Sequence, residues 1–284
     1  MSLTEGEGLA PGLYLCPTPI GNLEDITLRA LRVLAACDVV AAEDTRHSLK
    51  LLNHYGIRKR LLSCHEHNSK KRGPEILEEI RAGHAVALVS DAGMPGISDP
   101  GADILRLCVA EGLPVTVLPG PSASLTALVA SGLRTDRFTF WGFPERQGRR
   151  RKEQLQEMVG TEGTLILYES PHRIAATLRD LHAAGGDRPA VLAREITKRY
   201  EEYLRGTLVS LAEHLEKTPA KGELVLLFEG TPQAAAPAVD KETRMAQLLG
   251  EGHSKKEIAR RLAEETGESR NALYQALLDL EKNP

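Results

Sequence analysis

The sequence predicts an α/β protein with three parts: a first domain built on a mostly parallel sheet, a second on a mixed sheet, and a small helical unit at the C-terminal end. Three observations carry that expectation. In the first half, short apolar runs alternate with helical stripes, and such alternation means crossover connections between parallel strands. Two strand-like runs near residues 191 and 202 follow each other with no helix between, which means an antiparallel pair and a mixed second sheet. Beyond Gly230 the strand-like runs stop and helical patterns remain.

The elements follow in order. Residues 1–12 are polar and read as a flexible tail. Runs at 13–16, 39–42, 61–64, 85–90, 115–118 and 138–141 are short, rich in branched residues and bounded by Gly, Pro or Asp, so they read as strands. Between them, Ile26, Ala30, Val33 and Leu34 form a helical stripe with Asn22 as its candidate N-cap. Ile76, Leu77 and Ile80 form another, closed by Gly83, and Ile104, Leu105, Cys108 and Val109 a third, closed by Gly112. Residues 142–152 are polar and turn-rich and read as a hinge. The pattern resumes with strands at 165–168, 191–193, 202–205 and 223–228 and a helix at 171–184. Residues 231–239 have the Ala/Pro composition of a linker. Ser254 and Glu257 have the spacing of a capping box. Ile258 and Leu262 share the face of the helix that follows. Gly267 interrupts it, and Ser269 opens another bearing Leu273, Leu277 and Leu280. This outline fits a helix-turn-helix and any helical hairpin alike. The boundaries expected are 1–12 for the tail, 13–142 and 143–230 for the α/β domains, and 231–284 for the linker and helical unit.

Composition narrows the function classes. The 284 residues are 42% hydrophobic and only 4% aromatic, so the core is aliphatic. No apolar run approaches the ~18 residues of a membrane span, and no signal peptide opens the chain. Cys16, Cys37, Cys64 and Cys108 form no C-x-x-C pair and read as small core residues of a cytoplasmic protein. His65, Glu66 and His67 beside Cys64 lack a second ligand cluster, so no metal is expected. The net charge of −3 hides uneven parts: residues 44–72 carry eight Lys/Arg against two acids, and residues 134–152 seven against two. Both stretches follow strand ends, where a positive rim would suit an RNA backbone, with Arg149, Arg150, Arg151 and Lys152 as the densest group. The helical unit from 241 onward carries eight of each sign, so charge does not favour nucleic acid there.

The chemistry points to the C-terminal ends of the strands, where open α/β sheets bind ligands. One loop there runs from Asp91 to Gly101, eleven residues with three Gly and two Pro; βα loops usually have 2–6. Pro17 to Asn22 and Pro119 to Ser124 form comparable loops. The dinucleotide fingerprint, the P-loop and the nucleophile elbow are all missing. Stiff loops offering backbone groups, with Asp91 at a strand end, suit a cofactor with a purine, a ribose and a positive centre.

These motifs carry a resemblance. Pro17-Thr18-Pro19-Ile20-Gly21-Asn22, Ala42-Glu43-Asp44-Thr45-Arg46, Ser90-Asp91-Ala92-Gly93, Pro95-Gly96-Ile97-Ser98-Asp99-Pro100-Gly101, Pro119-Gly120-Pro121-Ser122-Ala123, Tyr168-Glu169-Ser170-Pro171-His172-Arg173 and Arg194-Glu195-Ile196-Thr197-Lys198 stand in order. Together they resemble the tetrapyrrole methylase superfamily, in the branch that methylates ribosomal RNA. The resemblance spans about residues 12–230. It implies a two-domain tetrapyrrole-methylase-like fold, S-adenosylmethionine held between the domains, and a homodimer. It further implies methyl transfer to a cytidine ribose 2′-hydroxyl in 16S rRNA of the small ribosomal subunit. Cofactor contacts implied by the resemblance are Pro19, Gly21, Ser90, Asp91, Gly93, Ile97, Ser98, Ser122 and Ala123, with Tyr168 and Leu226 or Phe228 closing the pocket. Glu43, Asp44, Arg46, Glu195 and Lys198 are the candidates for substrate orientation and proton removal, with the base unassigned among them. Two other readings stay open: a relative acting on a small molecule such as a tetrapyrrole, and a ribosome-assembly factor that binds RNA without catalysis.

Overall fold

Five of the apolar runs assemble as one parallel sheet: β1 (Gly12–Leu15), β2 (Val39–Ala42), β3 (Arg60–Ser63), β4 (Ala85–Val89) and β5 (Val115–Val117), in the order β3-β2-β4-β1-β5. This computed structural model describes residues 8–65, 68–99, 101–231, 241–266 and 268–280. Expectations that fall on residues 1–7 and 232–240, on Glu66, His67, Pro100 and Gly267, or on the side chain of Leu280 lie outside the described residues. Helices α1 (Leu28–Ala36) and α2 (Thr45–His54) cover one face of the sheet, around Leu34, Val40 and Leu52. Helices α3 (Ser69–Arg81) and α4 (Gly101–Ala110) cover the other, around Leu13, Ile76 and Ile104. Covered on both faces, β2 and β4 are buried along their whole length. Each fully buried Leu or Ile contributes roughly 1.5–3 kcal/mol.

Capping at the start of α1 differs from the expectation. Asn22 caps a single 3-10 turn, Leu23–Asp25, through Glu24 N. Thr27 caps α1, its Oγ1 accepting from Ala30 N at 3.0 Å. The strand also begins at Gly12, the last residue of the expected tail, and the Tyr14 hydroxyl reaches back to the Ala10 carbonyl.

The second sheet contains β6 (Phe138–Gly142), β7 (Thr164–Glu169), β8 (Pro189–Arg194), β9 (Glu202–Thr207) and β10 (Leu224–Glu229), in the order β6-β7-β10-β8-β9. Only β6 and β7 are parallel, so the sheet is mixed, and β8 and β9 form the expected antiparallel pair. Helix α5 (Ala123–Ser131) follows β5 yet packs across this second sheet, Ala127 and Leu128 meeting Ile166, Val191 and Val225. Helices α6 (Gly148–Gly160), α7 (Ile174–Gly185) and α8 (Leu208–Lys217) cover the opposite face around Met158, Leu178 and Phe228.

Two expectations are corrected here. The run at 138–142 pairs with β7 and not with the first sheet, so the expected boundary at 142/143 falls at the end of a second-sheet strand. The expected hinge shrinks to residues 143–147, because α6 starts at Gly148. Its first turn has no apolar residue; the inward residue there is Arg151, and that hides the helix in the sequence.

The chain divides into two units, Met1–Pro232 and Gln233–Pro284. The second unit consists of α9 (Lys241–Gly250), α10 (Lys255–Thr266) and α11 (Arg270–Leu280) around Met245, Leu248, Ile258, Leu262, Leu273 and Leu277. It therefore has one helix more than the sequence shows. Half of the expected capping box forms: Glu257 N donates to Ser254 Oγ at 3.4 Å, while the Glu257 carboxylate turns to Arg261. Among the described residues no helix is long and apolar enough to cross a membrane.

Candidate functional site

The loops after β1 and β4 are stitched together at the C-terminal edge of the first sheet. Thr18 and Gly93 exchange two backbone hydrogen bonds of 3.0 Å, and Thr18 Oγ1 donates to the Ser90 carbonyl at 3.1 Å. Gly93 sits at φ 80°, a left-handed conformation that glycine adopts without a Cβ penalty. Further along, the Asp99 carboxylate accepts from Gly96 N at 2.8 Å and from Gly101 N at 2.7 Å, which folds the long loop back on itself. A Cβ on Gly101 would meet Asp99 Oδ1 at 2.7 Å, so a side chain there would open the fold of this loop. Ser98, a non-glycine residue, is held at φ 61°. Strained backbone of this kind persists only where its surroundings over-determine it.

From the other side come the ends of β7 and β10 and the loop after β8. A cleft of about 380 Å³ is lined jointly by the Ser90–Asp99 region, Ser122 and Ala123, and by Tyr168, Glu169, Ile196, Leu224 and Val225. That volume is in the range of small-ligand sites. Ile20, Ile97, Ala123, Phe143 and Val225 make apolar walls; Glu43, Asp91 and Asp99 place carboxylates in the lining. Tyr168 meets Phe140 edge-on with ring centroids 5.0 Å apart, and Phe143 at 5.5 Å.

The charged groups fall into two kinds. Glu43 accepts a long hydrogen bond from Asp91 N, 3.4 Å, while the Asp91 carboxylate accepts from Asp44 N at 3.0 Å. Burial, with Asp91, Asp99 and Asp44 as anionic neighbours, holds the Glu43 carboxyl above the usual glutamate range despite the Asp91 amide. Burial likewise raises Asp99. Glu195 behaves oppositely. Its Oε1 accepts from Glu223 N at 2.9 Å and from Lys198 Nζ at 3.0 Å, and these bonds lower its pKa. Lys198 also reaches Glu223 Oε1 at 3.2 Å; its pKa is raised because these carboxylates outweigh its own burial. The loop carrying this pair is bent, with Glu195 at φ 50° and Thr197 at φ 67°. Gly21 and Gly222 pack against it so closely that a Cβ would meet Lys198 Cγ at 2.4 Å and Glu195 Oε1 at 2.3 Å.

Of the residues expected at the cofactor, Ser90, Asp91, Gly93, Ile97, Ser98, Ser122, Ala123 and Tyr168 line the cleft. Pro19 and Gly21 flank it; Ile20, between them, is the lining residue. Leu226 and Phe228 are displaced from it: both are wholly buried on the α6–α8 face of β10. It is Leu224 and Val225, at the strand's beginning and on opposite faces of it, that reach the cleft, because the cleft lies at that end of β10. Glu43 lines the cleft; Asp44, Arg46, Glu195 and Lys198 stand outside the lining. Asp44 caps α2 by accepting from Arg46 N at 2.8 Å, and Arg46 is turned outward with 90% of its side chain exposed.

Arg151 leaves the expected basic rim. It is 8% exposed, donates to Thr177 Oγ1, Asp180 and the Glu145 carbonyl, and belongs to the interior. Arg149 is exposed but paired with Glu153 along α6 at 2.6 Å; Arg150 and Lys152 are exposed. Sequence reasoning missed Phe143, Met94 and Glu223 in the lining. Only Phe143 left a signal, an aromatic residue in a polar turn. All four cysteines are free and buried, and burial pushes the Cys37 and Cys64 thiols up to about 11.

The site is thus one cleft shared by the strand ends of a parallel sheet and a second, mixed sheet, and comparison with known proteins gives this arrangement its class, the tetrapyrrole methylases. The family model for Tetrapyrrole (Corrin/Porphyrin) Methylases matches residues 12–212, and that for the RsmI C-terminal HTH domain matches residues 235–281. The fold recurs in uroporphyrin-III C-methyl transferase from Thermus thermophilus, solved with S-adenyl homocysteine, at TM-score 0.56 and 22% identity over 77% of this chain and 97% of that one. It recurs also in the methyltransferase CobJ, at TM-score 0.60 and 18% identity over 79% and 95%. Sequence relatives are nearer. Ribosomal RNA small subunit methyltransferase I of Synechocystis sp. is 45% identical over 95% of this chain and 98% of its own length. The protein of that name from Halalkalibacterium halodurans is 42% identical over 92% and 93%. The chain belongs to the ribosomal RNA small subunit methyltransferase I family, within the tetrapyrrole methylases, and is a methyltransferase.

Proposed function

We propose that this enzyme transfers a methyl group from S-adenosylmethionine to the ribose 2′-hydroxyl of a cytidine in 16S rRNA of the small ribosomal subunit. Dependence on S-adenosylmethionine and action on rRNA follow from the family; the cytidine and the 2′-oxygen rest on the ordered motifs. The observation that carries the reading is the joint cleft itself, with apolar walls and, on its first-domain side, the carboxylates of Glu43, Asp91 and Asp99. This donor set fits the cofactor. Ile20, Ile97, Ala123 and Val225 suit an adenine ring, and the Asp91 and Asp99 carboxylates suit a cationic sulfur and ammonium.

The bound cofactor supplies an electrophilic methyl group on a positively charged sulfur. The chain's own residues do the rest. Apolar walls keep water from the site, and the stitched loops hold their backbone in one geometry; positioning of this kind can supply about 7–11 kcal/mol of a barrier. A ribose hydroxyl is a weak acid, and proton removal by a positioned carboxylate adds about 10²–10⁴-fold. Glu43 is the carboxylate best suited to remove that proton. It faces the cleft, has no cation paired with it among the described residues, and binds protons more tightly than an ordinary glutamate. Asp44 serves as a helix cap and Glu195 as half of an ion pair. Arg46, Arg149, Arg150 and Lys152 remain as an exposed rim for the RNA backbone. A second copy of the chain covers the exposed apolar positions Val117, Leu125 and Val129, and the homodimer works in the cytoplasm, where its substrate is assembled.

The test uses labelled S-adenosylmethionine with undermethylated small subunits and, in separate incubations, with bare rRNA and with a tetrapyrrole. Label on one cytidine 2′-oxygen is the expected result. Label on a tetrapyrrole alone, or tight subunit binding with no label, would overturn the reading.

A further inference from the structure

Phe143 stands at the mouth of the cleft with 58% of its surface exposed, in a segment without regular secondary structure. The backbone that carries it is nevertheless clamped. Arg173 Nη2 donates to the carbonyls of Pro144 and Glu145, at 2.9 and 3.0 Å. Arg151 Nη1 donates to the same Glu145 carbonyl at 2.9 Å, and Gln154 accepts from Glu145 N at 2.8 Å. Behind the arginines lies Glu169, whose side chain is wholly buried. Its carboxylate accepts from Thr177 Oγ1 at 2.7 Å and faces Arg173 Nε at 3.4 Å, while Thr177 Oγ1 accepts from Arg151 Nη2 at 2.9 Å. The bonds close a ring: Glu169, Thr177, Arg151, the Glu145 carbonyl, Arg173 and back to Glu169. Burying these charges is costly unless every partner is in place, so the ring gives residues 143–145 one arrangement.

The chain then continues into exposed cations: Arg146, Arg149, Arg150 and Lys152 all face solvent within nine residues of the ring. A rigid aromatic face beside a run of cations is how proteins hold an unstacked base and its flanking phosphates. We propose that Phe143 is the platform on which the target nucleobase stacks, and that Glu169, Thr177, Arg151 and Arg173 are positioning residues that hold it there. This deepens the rRNA reading of the same cleft and rests on it.

The experiment compares wild type, Phe143→Ala, Phe143→Trp and Thr177→Val for methyl transfer to undermethylated small subunits at saturating cofactor, with cofactor affinity measured separately by calorimetry. Loss of the platform in F143A is expected to lower kcat/KM for the subunit about 5- to 150-fold, chiefly through KM. Cofactor affinity stays within about twofold of wild type, and F143W restores the rate, because stacking needs a π-face and not one particular ring. T177V opens the ring, raises KM in the same direction, and adds little to F143A in the double variant. Phe143 is exposed, so F143A keeps the proposal falsifiable even if T177V fails to fold. F143A with wild-type kcat/KM would overturn the platform alone, as would F143A losing cofactor affinity in step with rate. A wild-type enzyme that binds cofactor but labels no rRNA would overturn the rRNA reading and the platform with it.

Discussion

Glu43 and Glu195 occupy matching positions, each the first residue beyond a strand, β2 and β8, though only Glu43 lines the cleft. Their surroundings make them different groups. Glu43 is half-buried among anions with one long amide hydrogen bond, so its pKa is raised. Glu195 accepts from Lys198 and the Glu223 amide at one oxygen, so its pKa is lowered and its carboxylate is occupied. Arg150 and Arg151 repeat the lesson one residue apart: one is in solvent, the other is buried in the ring beneath Phe143. A charge at a strand end or in a basic run becomes a reagent or a structural tie according to what packs against it.

Four substitutions put these pairings at risk. The largest effect belongs to Glu43→Gln, expected to lower kcat about 10²–10⁴-fold with cofactor affinity retained. The active form of Glu43 is the carboxylate, and its pKa is raised. Wild-type kcat/KM therefore falls as pH drops through a value above the ordinary glutamate range, and E43Q lacks that acid limb. Equal pH profiles for the two proteins would remove Glu43 from the mechanism. Next is Arg151→Met, expected to cost roughly 2–4 kcal/mol of stability, because it leaves Thr177 and the Glu145 carbonyl short of a partner; a melt at wild-type temperature would show that the ring carries no load.

Glu195→Gln follows, with a loss of about 1–2 kcal/mol, or several degrees in Tm, and kcat within about threefold of wild type. The sign with pH is fixed by its lowered pKa. The stabilisation is fully present above the unfolded glutamate value and is lost as pH falls through the lower folded value, so the two proteins should converge in acid melts. A kcat loss matching that of E43Q would make the two carboxylates equivalent after all. The smallest effect is expected of Arg150→Ala: an unchanged melt, weaker rRNA binding, and a salt slope reduced by about one. An unchanged slope would take the RNA path elsewhere.

Much of this was legible in the chain. The strands of the first sheet are apolar runs punctuated by Gly and Pro, and the long loop between Asp91 and Gly101 announces a binding edge. Helices α2 and α6 were not legible, because their inward faces use Ser48 and Arg151 beside a few apolar residues and so lack a clean 3.6-residue stripe. Helix α5 was hidden for the opposite reason: Ala, Leu and Val surround it, and only packing on the second sheet selects Ala127 and Leu128 as its inner side.

Local chemistry thus determined the α/β class, the parallel first sheet and the loops that line the cleft, because strand propensity, turn residues and loop length act within a few residues of one another. The tertiary structure alone decided which sheet 138–142 would join, since an apolar run carries no label for its partner. It also decided which residues of β10 meet the cleft: Leu224 to Phe228 is apolar throughout, and only the assembled sheets leave Leu224 and Val225 at the cleft end of the strand. Above all it decided which charges are buried. Glu43, Glu195, Arg150 and Arg151 owe their roles to neighbours brought near by the fold, and neither solvation nor pairing is written in the residues beside them.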